Sequence, residues 1–265
     1  MAEVTLPDEI ISEILSPALK VPDYKFSSLG PKSPFAKYSV SSSAALLVCK
    51  AWLRVATPLL YNVIVIRSKA QGRALEDALR TNPDLGRFIK KLRVEGGFGS
   101  SMHTILKCAT NVTDIYLSLQ IHSSDSSAGL AMGLPLINPQ RLIIFDDRNN
   151  PLKNKAVLQL MATLTVCAPK WSNTHTVFLP YLIPPAVRQS FMLTMCSFKN
   201  IKIVSLPGFG TTPELLQIGA IPTLEAIEVR NKPTTGKVPV LQSTDPRLNS
   251  LVRWAAPHAD LPRLK

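Results

Sequence analysis

The residues of this chain able to do chemistry are few and scattered. Four histidines, His103, His122, His175 and His258, stand apart, with no His-x-x-x-His around a glutamate. A helical zinc site needs that spacing, because side chains four residues apart share a face. The four cysteines, Cys49, Cys108, Cys167 and Cys196, also fall outside metal-ligand spacing of one another. No serine lies in a Gly-x-Ser-x-Gly elbow. Asp146-Asp147 closes an apolar run, where acids can bind metal, but nothing nearby supplies a third ligand, so a solvated strand end is expected. Gly96-Gly97-Phe98-Gly99-Ser100 falls between strand-like and helix-like segments, where phosphate-binding turns sit. It lacks the closing Gly-Lys-Ser/Thr and a following acid for a ribose, so a flexible turn is expected. Thr235-Gly236-Lys237 runs into Val238-Pro239, which denies it the helix of a P-loop. The chain is therefore expected not to be an enzyme, and no cofactor or metal is expected.

The elements that would position any site come from a core-forming composition. Of 265 residues, 46% are hydrophobic and only 18% charged, and disorder would need the reverse. The 22 prolines argue for many short elements joined by turns. The net charge of +12 suits acidic partners. The basic residues are dispersed, and their densest run, Arg87 to Arg93, lacks the repeated aromatics of a base-stacking surface, so nucleic acid is not an expected partner. Met1–Thr5 has neither a basic nor an apolar leader region, and no apolar run approaches the roughly 18 residues of a membrane span. A cytoplasmic or nuclear protein with reduced, buried cysteines is expected, and Asn111-Val112-Thr113 then carries no glycan.

Leu6 to Leu15 reads as a short helix. Pro7 suits a first turn, which needs no N–H partner there, and Asp8 and Glu9 complement the helix dipole. Ile10, Ile11, Ile14 and Leu15 make one apolar face. A second helix is predicted over Ala44–Ala56, with Ser41, Ser42 and Ser43 as candidate caps and Pro58 as its end or a kink. Lys20–Ser39 holds three prolines, Gly30 and several serines, and reads as a long loop, either functional or mobile.

Leu6-Pro7-Asp8-Glu9-Ile10 followed by Leu46-Leu47-Val48-Cys49-Lys50-Ala51-Trp52 resembles the F-box, and Ala56-Thr57-Pro58-Leu59-Leu60-Tyr61 resembles the tail of many fungal F-box proteins. The likeness covers about a quarter of the chain; the usual joint of a few residues is replaced by the Pro/Ser-rich insert, about residues 20–43. It implies an all-helical module over 1–60 that docks the adaptor of a Skp–cullin–F-box ubiquitin ligase. The residues matching the motif are Leu6, Pro7, Ile10, Ile14, Leu15, Leu47, Val48, Cys49, Lys50 and Trp52. Cys49 is read as a small packed hydrophobe. The alternative is a plain helical cap on an interaction scaffold with no ligase role.

Over 61–265, units of the form apolar-x-x-apolar-x-apolar recur: Tyr61/Ile64/Ile66, Ile89/Leu92/Val94, Val112/Ile115/Leu117, Pro139/Leu142/Ile144, Thr174/Val177/Leu179, Phe198/Ile201/Ile203, Leu224/Ile227/Val229 and Leu248/Leu251. Their first positions are 28, 23, 27, 35, 24, 26 and 24 residues apart, mostly in the range of leucine-rich repeats. Helical stripes lie between them, notably at Ala70–Leu79, Met102–Leu106, Leu152–Leu164, Ala186–Phe198 and Thr212–Ile218. The expected fold is therefore α/β: a small helical module, then an irregular strand–helix solenoid that resembles a leucine-rich-repeat array. The usual Asn or Cys after each strand is replaced, by Gly97, Gln120, Asp147, Leu182, Leu206 and Lys232, so no ladder is expected there. A doubly wound single domain is the alternative, but it does not require near-equal spacing. The resemblance implies that a protein target binds strand positions facing away from the helices, and the net charge of +12 suits an acidic one. In this register those positions are Arg93, Glu95, Tyr116, Ser118, Phe178, Lys202, Glu228 and Arg230.

Overall fold

The computed structural model describes residues 6–37, 42–147, 153–180, 183, 185–208, 212–230 and 245–255. Thr235-Gly236-Lys237, His258, Leu182 and Lys232 lie outside the described residues. The N-terminal part is helical, with α1 (Asp8–Leu19), α2 (Asp23–Phe26), a 3-10 turn (Ser42–Leu47) and α3 (Lys50–Asn62). Strand and helix then alternate: β1 (Val63–Ile66), α4 (Lys69–Thr81), β2 (Lys91–Val94), α5 (Ser101–Cys108), β3 (Asp114–Ser118), α6 (Ala128–Gly133), β4 (Arg141–Phe145) and α7 (Lys155–Cys167). They continue with β5 (Thr176–Phe178), α8 (Pro185–Met195), β6 (Ile203–Leu206), α9 (Thr212–Gly219), β7 (Ala226–Val229), α10 (Pro246–Leu251) and β8 (Val252–Trp254). The chain is thus a mixed α/β protein whose eight described strands form one parallel sheet in sequence order. That order never reverses, so the sheet has no switch-point crevice of the doubly wound kind.

Alternation along each strand separates the two faces of the sheet. One face carries the aligned row Ile64, Leu92, Ile115, Leu142, Val177, Val204 and Ile227. It packs with the apolar stripes of the helices into the main core, which includes Leu79, Met102, Ile105, Leu160, Leu164, Phe191 and Leu215. The facing rows are Lys91, Asp114, Arg141 and Thr176, and Val65, Arg93, Tyr116, Ile143, Phe178, Ser205, Glu228 and Arg253.

One unit slips relative to the expected pattern. Val204 and Leu206 face the core, whereas Ile203 lies on the other face, so the sixth unit is Ile201/Val204/Leu206. The ambiguity has a physical source. A further buried apolar residue precedes the repeat by three positions in several units, at Ala109, Trp171, Phe198 and Ile221. Phe198/Ile201 therefore satisfies the same spacing as Ile201/Val204. In the last unit Leu248 and Leu251 are buried on α10, and the strand begins only at Val252.

Threonine hydroxyls tie three pairs of neighbouring units at the strand entries, at no fixed position of the repeat. Thr113, Thr174 and Thr223 donate their hydroxyls to the carbonyls of Lys90, Pro139 and Ile201 in the preceding units, at 3.1, 2.6 and 2.8 Å. Thr174 is fully buried. Thr174→Val keeps its shape but leaves the Pro139 carbonyl unsatisfied, and should cost about 1–3 kcal/mol. A urea unfolding series compared with wild type checks this.

The N-terminal helices have a separate small core of Ile11, Leu15, Leu19 and Ala56, with Leu46, Trp52, Val55, Leu59 and Leu60 partly buried around it. α1 runs to Leu19, beyond the expected end, and Pro7 is its N-cap, with the Ile11 amide donating to the Pro7 carbonyl. The expected helix over Ala44–Ala56 is split. The chain breaks at Val48-Cys49 before α3, which continues past Pro58 because Leu59 and Leu60 beyond it still pack on the small core. Arg54 forks onto Asp8 at 2.9 and 2.5 Å, tying α3 to the first turn of α1.

Candidate docking surfaces

The motif-matching residues divide by exposure. Ile10 and Ile14 are 46% and 53% exposed and lie one turn apart on α1, and Leu6, also exposed, stands four residues ahead of Ile10, just before the helix. Leu47 is 86% exposed, and Val48 and Leu53 are open too; Leu47 and Leu53 belong to elements packed against α1, and Val48 lies in the break between them. Pro7, Cys49 and Lys50 are exposed as well. Leu15 faces the small core, which corrects its assignment as a docking residue, and Trp52 is half-buried against that core. Cys49 is not packed; it caps α3 in the open, and Cys196 is exposed too, so buried thiols were a wrong expectation for both. Cys167 is buried, and burial pushes its thiol up to about 11. Leu53, which the motif does not include, is exposed on α3 one turn beyond exposed Lys50.

The described part of the insert is anchored to the sheet. From Pro22 to Phe35 it crosses the face of the sheet away from α4–α10. Asp23 meets Lys91 at 2.5 Å and is forked by Arg141 at 2.9 and 2.5 Å, while Arg141 also reaches Asp114. The Arg141 guanidinium holds the Asp23 carboxyl far below its ordinary value despite the opposing effect of burial, with Lys91 helping. Phe26 is fully buried against Tyr116 and Ile143, with Leu29 alongside. Arg93 donates from Nη1 to the carbonyls of Phe26 and Ser28 at 2.5 and 3.0 Å and stacks over Tyr116. Ser33 donates to Glu95 at 2.7 Å, and Arg67 bridges Glu95 and the Phe35 carbonyl.

This strap changes the reading of the target face. Arg93 and Tyr116 lie beneath it and are closed to an outside partner. Glu95 is held by Arg93, Arg67 and Ser33. Lys202 precedes β6, pairs with Glu225 and is off the facing row, a consequence of the slip described above. Ser118 is buried, its Oγ accepting from the Gln120 amide. Phe178 and Glu228 are partly exposed, and Glu228 accepts from Arg253. Arg230 follows β7 and donates to the Leu179 and Ser205 carbonyls over the Phe178 ring. Asp23 and Phe26 were missed; their one local signal was an acid and aromatics inside an otherwise Pro/Ser-rich stretch.

The glycine-rich turn does hold an anion, supplied by the chain. The amides of Gly97 and Phe98 donate to Asp125 at 3.0 and 2.9 Å, and Lys69 lies 3.4 Å from it. Burial alone would raise the Asp125 pKa, but the amides of Phe98, Ser126 and Gly97, with Lys69, bring it below its ordinary value. Phe98 takes a φ of 55°, a strained setting for a side chain. A Cβ on Gly97 would come within 2.5 Å of the Ser126 carbonyl oxygen, so this close approach requires glycine. Asp146 is buried and not a solvated strand end. Among the described residues no three His, Cys, Asp or Glu side chains cluster as a metal site, and no helix is long and apolar enough to cross a membrane. No protein-family model matches the chain, and no curated protein matches it.

Proposed function

We propose that the chain is the target-recruiting subunit of a Skp–cullin–F-box ubiquitin ligase. In this reading α1, the 3-10 turn and α3 form the F-box module that docks the adaptor, and β1–β8 with their helices form a leucine-rich-repeat-like solenoid that carries the target. The observation behind it is the exposed apolar set Leu6, Ile10, Ile14, Leu47 and Val48, which coincides with the F-box motif and lies on or directly beside helices whose inward faces have their own core. Exposed apolar residues grouped this way are a liability unless a partner covers them. The consecutive parallel strands, with aligned positions 28, 23, 27, 35, 27 and 23 residues apart, support the solenoid reading.

Such a subunit forms no covalent bond itself. It raises the effective concentration of a target beside a ubiquitin-charged enzyme, in the cytoplasm or nucleus. The net charge of +12 favours an acidic target, whose affinity would then fall with salt. Affinity capture of the tagged chain from cells tests the assignment. Adaptor and cullin should be recovered together; recovery of other proteins with neither would identify an interaction scaffold with no ligase role.

A further inference from the structure

The strap meets the sheet as a bound peptide would. Its acid is clamped by two cations, its one fully buried aromatic ring enters an apolar seat three residues further on, and its main-chain carbonyls are read by an arginine. The described strap contributes no strand to the sheet, and both its ends lead back to the N-terminal helices, so it is a tethered segment. Asp23 sits at the rim, its side chain 39% exposed, where an incoming carboxylate can compete for Lys91 and Arg141. Beside the strap a cavity of about 160 Å³ opens between Gly30, Pro31 and Ser33 on one side and Tyr116, Ser118 and Phe145 on the other. Tyr116, itself buried, lines it together with Arg93 and Glu95. The seat is therefore incompletely filled by its present occupant.

We propose that this face of β2–β4 is a peptide-recognition site held by the strap in cis, and that its outside ligand is a target segment with a carboxylate and an aromatic ring three residues further on. Such a segment enters by displacing residues 22–35. The site explains why the chain keeps Lys91, Arg93 and Arg141 on one sheet face: together they select an acid and orient a main chain. The inference rests on the receptor reading only in calling the ligand a target. An in-chain segment acts at a local concentration on the order of millimolar, so a free peptide with the same anchors competes poorly until the strap is weakened.

That difference is the test. A fluorescein-labelled peptide of residues 21–30 is titrated by polarisation against the full-length chain and its Asp23→Ala/Phe26→Ala double variant. The variant should bind at least about tenfold more tightly than wild type. The same peptide with Asp23→Ala, or Arg141→Ala added to the variant, should lose about tenfold. If the double variant fails to fold, judged by circular dichroism, Asp23→Ala/Phe26→Leu replaces it and keeps most of the buried volume. No binding by a folded variant, or equal binding by variant and wild type, overturns the proposal. The assay contains no adaptor, so failure of adaptor capture is scored separately.

Discussion

Ile14→Asp, alone or with Ile10→Asp, is expected to reduce adaptor binding by roughly a hundredfold or more, because a charge without a partner would be buried at the centre of the contact. Both side chains are about half exposed in the free chain, so unfolding free energy should move by only about 0.5 kcal/mol. The contrast is Leu15→Ala, one residue away from that stripe. Leu15 is buried in the small core, and its truncation should cost about 2–5 kcal/mol and loosen the helices themselves. Surface plasmon resonance against immobilised adaptor, paired with urea unfolding, separates the two. Equal loss of binding and of stability in Ile14→Asp would show that the stripe is structural and not a docking face.

Phe26→Ala should be the most destabilising single change in the strap, at about 3–5 kcal/mol, since the ring is fully buried between Tyr116 and Ile143. Asp23→Asn tests the electrostatic half of the same contact. The Asp23 pKa in the folded chain lies below its ordinary 3.8, chiefly through Arg141. A lowered carboxylate contributes stability above the unfolded value, and loses it as pH falls through the folded one. At pH 7 wild type should therefore exceed Asp23→Asn by about 1 kcal/mol, a modest figure because solvent screens a partly exposed pair. The gap should begin to shrink as pH drops below 3.8 and close only under the lowered folded value. Chemical unfolding at a series of pH values reads this directly; a gap independent of pH would mean that Asp23 holds the strap by shape alone.

Local patterning along the chain suffices for most elements and for the parity of most strands. α4, α5 and α9 follow from apolar residues three and four apart, and Thr212-Pro213-Glu214 announces the start of α9. The strand cores at Leu92, Ile115, Leu142, Val177 and Ile227 follow from a spacing the chain repeats. α6 was missed, because Ala128-Gly129-Leu130-Ala131-Met132-Gly133 has two glycines in six residues and owes its helix to packing against α5 and α7. β6 was misaligned, since two overlapping apolar triplets fit one spacing and only burial chooses between them.

Packing between distant elements sets which apolar residues of the N-terminal helices are left outside and what covers the sheet. Ile10 and Ile14 share a predicted face with Ile11 and Leu15; where α3 lies relative to α1 splits that face into an inner and an outer half. The strap depends on Asp23 meeting Lys91 and Arg141, residues 68 and 118 positions away. Periodicity reports on neighbours within a turn or a strand, so an ion pair closed over such distances leaves no mark in it until the fold brings the partners together.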